Sequence, residues 1–254
     1  MEILVTNDDG WGAQGITVLA KIMTRLGHVT VVAPDGPRSS TSNAISMHTP
    51  MKLQRVDISQ DDRFTDEEKA QMDVYITNGT PADCVKLALF VLHEEDNSSI
   101  DLMVSGINHG SNASINVVYS GTMGACFTGG EHSIRGIGFS IDDFKQPTDL
   151  SHFEPYILEI TKHLIEQPWP VGMSYNVNAP LGEIKGIKWA RQCRGHWCKE
   201  IEPRVNENGE TEYWLAGEFV NDEPEAEDTD QWAINHGYIS IQPCTVDLTK
   251  HDML

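Results

Sequence analysis

The chain has 254 residues, 39% hydrophobic and 22% charged, which fits one large or two small globular domains and excludes a disordered chain. Its 38 acidic against 18 basic side chains leave a formal net charge of −20, which argues against a general binder of nucleic-acid polymers or of anionic membranes. A small phosphorylated substrate stays open, because one metal ion reverses the sign of a local site. No apolar run approaches membrane-span length, and Met1-Glu2-Ile3-Leu4-Val5 opens as a strand, so we expect no cleaved signal peptide and a cytoplasmic protein whose five Cys are reduced.

In chain order, Glu2–Thr6 reads as a strand, Gly15–Leu26 as an amphipathic helix, and Val29–Ala33 as a buried β-branched strand stopped by Pro34. Asp73–Thr77 is a further strand, and Pro81 opens a helix, PADCVKLALFVLHE. Asp101–Ser105 and Gly136–Ile141 are strands, and Ser151–Gln167 is an amphipathic helix. Strands alternating with helices predict an α/β fold with a doubly wound, mostly parallel, Rossmann-like sheet. From about Tyr175 the pieces shorten to SYNVNA, KGIKWARQ, TEYWLAG and GYISIQP, with a hairpin signal at Asn208-Gly209. We therefore expect a core over residues 1–174 and a β-hairpin extension over 175–254 that is not an independent domain. The acidic run 222–230 reads as a solvated loop.

Four strand ends are followed by polar, glycine-containing loops: Asn7-Asp8-Asp9-Gly10, the stretch from Pro34 to Asn43, Asn78–Asp83, and Gly106–Asn112. Ligands of open parallel sheets bind at that edge. Adjacent Asp8 and Asp9 repel one another unless a cation lies beside them, and all-oxygen ligands suit Mg²⁺, Mn²⁺ or Ca²⁺. Asn108 and a hydroxyl such as that of Ser39 would complete the shell with neutral oxygens. The competing reading is a plain Asp9-Gly10 turn with Asp8 capping the next helix. Ser120, Gly121 and Thr122 open a helix and form a candidate phosphate cradle, against a simple Ser/Thr N-cap. No ATP-type P-loop or dinucleotide fingerprint is present. Cys193, His196 and Cys198 match no standard zinc spacing. His109 sits in the glycine loop, placed for substrate contact, and Asp247 and His251 are spaced as an i, i+4 pair.

Taken together and in this order, ILVTNDDG, VVAPDGPRSSTSNAIS, NGTPADCV, VSGINHGSN and YSGTMGA closely resemble the SurE family of stationary-phase survival phosphatases, and GYISIQPCTVDLTKH resembles that family's ending. The resemblance implies a divalent-metal-dependent phosphomonoesterase acting on nucleoside 5′-monophosphates, with 3′-nucleotides and polyphosphate as further substrates. It implies one Mg²⁺ or Mn²⁺ per subunit, held by Asp8, Asp9, Ser39 and Asn108, with Asp8, Asp9 and Asn108 catalytic. Asn43, Ser105, Gly106, Ser120, Gly121 and Thr122 would line the phosphate site. It also implies a C-terminal extension exchanged between subunits of a homodimer or homotetramer. Ser40 departs from the family, which usually has Gly there. A non-catalytic nucleotide or phosphate sensor is the alternative, and the Asp8-Asp9 pair weighs against it, since an anion sensor has no use for two added negative charges.

Overall fold

We describe the protein from a computed structural model, in which residues 1–93, 99–145, 147–249 and 251 are described. Nine strands of these residues form one sheet. In spatial order they are β3 (Leu53–Arg55), β4 (Met72–Thr77), β2 (His28–Pro34), β1 (Glu2–Thr6), β5 (Leu102–His109), β6 (Arg135–Ile141), β7 (Met173–Ala179), β13 (Tyr238–Thr245) and β8 (Gly186–Trp189), numbered in chain order. The six from β4 to β7 run parallel. β3 is antiparallel to β4, and β13 is antiparallel to β7. The fold is the expected α/β arrangement.

Alternation in β1 sends Ile3 and Val5 to one face of the sheet and Leu4 to the other, so both faces need cover. On the first face, α1 (Gln14–Met23) supplies Ile16 and Leu19, and α6 (Glu154–Ile165) supplies Ile157, Ile160 and Leu164. On the second, α3 (Pro81–Leu87) supplies Val85, and α5 (Gly121–Glu131) supplies Met123 and Cys126. Each fully buried aliphatic side chain contributes about 1.5–3 kcal/mol, so these two layers dominate stability. The short α2 (Asp66–Lys69) is closed by a Thr65–Glu68 capping box, and α4 (Asn116–Tyr119) leads into α5. No described helix is long and apolar enough to cross a membrane.

Several boundaries differ from the sequence reading. α1 ends at Met23 rather than Leu26, because Leu26 and Gly27 N–H turn back to the Met23 carbonyl. There Gly27 passes so close to the chain start that a Cβ would lie 2.0 Å from the Met1 carbonyl oxygen. The helix opened by Pro81 is α-helical only to Leu87 and π-helical over Ala88–His93; its expected end at Glu94 lies outside the described residues. β5 does not stop at Ser105. It continues to His109 with a register shift between Ser105 and Asn108, so the glycine loop is a bulged strand. The reason is Gly106, at φ 126°, packed against β6 where any Cβ would meet the Phe139 carbonyl oxygen at 2.2 Å.

After residue 174 the chain keeps building the central sheet, with β7, β13 and β8. Two antiparallel pairs stand apart from it: β9 (Gly195–Cys198) with β12 (Glu218–Asn221), and β10 (Ile201–Val205) with β11 (Thr211–Leu215). The Asn208-Gly209 turn joins the second pair, with Gly209 at φ 80°.

The acidic run is not a solvated loop throughout. Glu223 is mostly buried and accepts from Arg191 at 2.6 Å and Arg194 at 3.1 Å, and Asp228 accepts from Arg191 at 2.8 Å. Asp230 is fully buried and opens α7 (Asp230–Asn235) behind the N-cap Thr229. Its carboxylate accepts the backbone N–H groups of Ser114, Cys193 and Gln231 at 2.9, 2.9 and 2.8 Å. An interior carboxylate is tolerated when donors surround it in this way.

Candidate active site

The sheet reverses its winding between β1 and β5. β1 is followed by α1 and β2 on one side, while β5 and β6 build outward on the other. The crevice beyond the carboxyl ends of two such strands is where this architecture binds ligands. β1 delivers Asp8 and Asp9 there, and β5 delivers Asn108.

The NDDG segment is both a tight turn and a carboxylate pair. Asn7 Nδ2 donates to the Gly10 carbonyl at 3.0 Å, and Gly10 N–H donates back to Asn7 Oδ1 at 3.1 Å. Gly10 takes φ 88°, which favours glycine. The turn reading is therefore correct, but its corollary is not: α1 begins at Gln14 behind the N-cap Ala13 with no side-chain cap, so Asp8 does not cap it. Asp8 is 5% exposed, and its Oδ1 accepts from Thr122 Oγ1 at 2.7 Å. Burial pushes its carboxyl up from 3.8 to about 6; the Thr122 bond opposes the rise and the Asp9 charge adds to it. Burial also raises Asp9, whose Oδ2 is buried without a hydrogen-bond partner.

A second loop closes on this turn. Arg38 N–H donates to the Asp8 carbonyl at 2.6 Å, which brings Ser39 beside it on an exposed turn. Ser42 N–H donates to the Tyr119 carbonyl at 3.1 Å and ties the loop to the start of α5. Gly121 faces Asp8 closely: a Cβ on it would lie 2.9 Å from Asp8 Cβ and 3.0 Å from Thr41 Oγ1. At Gly124 a Cβ would lie 2.0 Å from the Ser42 carbonyl oxygen. The Gly124 contact is with backbone, so Gly124→Ala is expected to push the 38–44 loop off α5. A loop displacement near 1 Å lowers kcat/KM by about 10²-fold. Steady-state kinetics beside an unchanged far-ultraviolet dichroism spectrum checks this.

The structure thus brings Asp8, Asp9, Ser39, Ser120, Gly121 and Thr122 to one crevice, with Asn43 exposed on the loop that covers Gly124. Ser120 is the N-cap of α5, accepting from Met123 N–H at 3.0 Å, so the cap and the cradle are one structure. Asn108 is half-buried, and its Nδ2 donates to the Gly110 carbonyl at 2.7 Å, leaving Oδ1 as the oxygen available to a cation. Ser105 and Gly106 are buried inside β5 and do not reach the open surface; Ser105 Oγ has no hydrogen-bond partner. The Asn78–Asp83 loop is structural: Asp83 caps α3 and accepts from Ser46 N–H and Oγ. Thr41, beside Gly121, belongs to no motif of the sequence reading, where only the hydroxyl run SSTS marks it. Asp247 and His251 do pair, at 2.7 Å and both exposed. Thr249 and His251 hold Asp247 at about 2. Asp247 lines a cavity of about 750 Å³ with Lys86 and Glu131, which Ser42 and Asn43 also border.

This crevice and these loops coincide with a known sequence pattern. The family model described as Survival protein SurE matches residues 3–199. The chain belongs to the SurE family. Full-length relatives agree. A protein of Christiangramia forsetii named 5′-nucleotidase SurE is 44% identical over 99% of this chain and 94% of its own length. One of Phocaeicola vulgatus with the same name is 41% identical over 99% and 93%. The crystal structure of the SurE protein from Aquifex aeolicus superposes with a TM-score of 0.82 at 32% identity, covering 100% of this chain and 97% of that one. Within this SurE chain, Ser40 stands at φ 58°, in the left-handed region that suits the glycine the family pattern leads one to expect.

Proposed function

We propose that this SurE chain is a 5′-nucleotidase, a phosphomonoesterase that hydrolyses nucleoside 5′-monophosphates to nucleoside and phosphate with the help of a divalent cation. The observation that carries the cation is the Asp8-Asp9 pair, Asp8 buried and Asp9 partly so, both members pushed toward protonation and one oxygen, Asp9 Oδ2, without a partner. Among the described residues no three His, Cys, Asp or Glu side chains converge, so a cation here would rest on two carboxylates and neutral oxygens. That donor set fits Mg²⁺ or Mn²⁺. Asp8 and Asp9 would hold it, with Asn108 Oδ1 and the Ser39 hydroxyl alongside. When bound, the cation polarises a phosphate oxygen and makes a water more acidic.

The chain's own groups do the rest. Thr122 fixes the Asp8 carboxylate from Oδ1. The α5 N-terminus at Ser120–Thr122 presents backbone N–H groups and a positive dipole end to the phosphoryl oxygens, where charge develops. Asn43 borders the same position. Asp9 orients the water that attacks phosphorus in line; the phosphorus–oxygen ester bond breaks, and the nucleoside oxygen leaves with a proton. Five apolar residues of the β10–β11 hairpin, Ile201, Val205, Tyr213, Trp214 and Leu215, are all at least half exposed. They support assembly into a homodimer or homotetramer, and we place that assembly in the cytoplasm.

The deciding assay is phosphate release from nucleoside 5′- and 3′-monophosphates and polyphosphate, with Mn²⁺, with Mg²⁺ and with EDTA. Release from 5′-monophosphates that requires a cation is the expected result. Folded protein that releases no phosphate under any condition overturns the enzyme reading and leaves a nucleotide-binding sensor.

A further inference from the structure

An exposed aromatic ring stands beside the carboxyl end of β5, the strand that carries Asn108. Phe144 lies on the loop after β6, in the polar stretch Ile141-Asp142-Asp143-Phe144-Lys145, and is 77% exposed. Leaving such a ring in water forgoes the gain of burying it. Its seat is specific. The ring rests against Gly110, where a Cβ would lie 2.6 Å from Phe144 Cε1, and Gly110 itself stands at φ 108°, which favours glycine. Gly110 is also the residue whose carbonyl holds the Asn108 amide.

The loop is tied to both strand ends that form the site. Thr148 Oγ1 meets His109 Nδ1 at 3.2 Å and the Asp143 carboxylate at 3.0 Å. Gln14, five residues beyond Asp9, makes two bonds to the Thr148 backbone, at 3.0 and 3.3 Å. Phe144 is therefore held in register with the Asp8-Asp9 turn and with Asn108. One edge of the ring is against backbone and most of the rest is open.

We propose that the open ring of Phe144 receives the planar base of the nucleotide and sets the preference for nucleotides over phosphate esters that lack a base. This rests on the nucleotidase reading and deepens it. A nucleoside 5′-monophosphate bound by its phosphate at the α5 N-terminus extends its base away from the carboxylates, toward the rim. Stacking tolerates any base, since every base has a π-face, so the residue favours nucleotides as a class.

The test compares AMP with ribose 5-phosphate, which has the same phosphate and sugar and no base, in the wild type, Phe144→Ala and Phe144→Trp. Loss of one base–aromatic stack weakens binding by about 10-fold or more. Phe144→Ala is expected to raise the KM for AMP by that factor, to move the KM for ribose 5-phosphate by less than about twofold, and to leave kcat for both within that range; Phe144→Trp should restore the AMP value. Calorimetric Kd values for AMP and ribose 5-phosphate in the same variants give the same comparison independently of turnover. A wild type that hydrolyses neither ester overturns the nucleotidase reading, and the calorimetric pair still judges Phe144. Equal effects of Phe144→Ala on both ligands, or no effect on AMP, overturn this inference while the nucleotidase reading stands.

Discussion

Asp8→Asn is expected to lower phosphate release by about 10³-fold, because it removes one of the two carboxylate charges that Asp8 and Asp9 offer the cation. The same change should make the metal-free protein more stable at neutral pH. In the folded chain the Asp8 carboxyl titrates at about 6 against an ordinary 3.8, because burial disfavours its charged form. Well below pH 4 the group is protonated whether the chain is folded or not, and it imposes no penalty. Between about pH 4 and 6 the unfolded chain releases this proton while the folded chain retains it, so folding loses about 3 kcal/mol relative to the acid limit, a loss complete above pH 6. Asn keeps the shape and can still accept from Thr122 Oγ1, but it carries no charge. Thermal melts in EDTA should therefore show Asp8→Asn above the wild type at pH 7.5, with the gap closing toward pH 4. Adding Mn²⁺ should raise the wild type and leave the variant unmoved. A gap that stays constant with pH, or a variant that keeps wild-type turnover, would remove Asp8 from the proposed metal site. The same titration sets proton against cation, so cation affinity should strengthen as pH rises from 5 to 7.

Asp230→Ala is expected to be the most destabilising single change away from the crevice. The side chain is fully buried and gathers N–H groups from Ser114, Cys193 and Gln231. Truncation strands interior donors at about 1–3 kcal/mol each, so a loss near 4 kcal/mol follows. For a chain of this length that corresponds to about 10 °C in Tm, measured by calorimetry. Ser114 lies in the segment between β5 and α4, which Asn178 also anchors through Asn112 N–H at 2.7 Å. Loosening it should therefore lower activity as well as Tm. Asp230→Asn, which retains an acceptor oxygen, should lose clearly less. An Ala variant that melts within about 2 °C of the wild type would show that water replaces the carboxylate.

What could be read from residues alone was local chemistry and periodicity. The run VTVVA is β-branched and ends at a proline, so β2 was legible as a buried parallel strand. Asn7-Asp8-Asp9-Gly10 carries its own turn signal and its own charge conflict, so the candidate metal pair is legible in the sequence itself. Ser120 preceding a glycine and a threonine was legible as a helix start, with its cap and its anion cradle both in view. Asn208-Gly209 named its hairpin.

Other features depend on partners far away in the chain. β5 runs on through Gly106 because β6 offers the Phe139 carbonyl to pack against, and no pattern within SGINHG reveals that neighbour. Asp230 sits in a run of acids that reads as solvated, and only the arrival of Ser114 and Cys193 N–H groups makes its burial affordable. Ser105 and Gly106 lie inside the sheet although they adjoin Asn108 in sequence, because a bulge separates them from it. The raised carboxyls of Asp8 and Asp9, and the bond from Thr122 to Asp8 across 114 residues, follow from the same cause. Desolvation and hydrogen-bond pairing are properties of what surrounds a group, and in a sheet whose neighbours come from distant segments that surrounding is set by the folded chain.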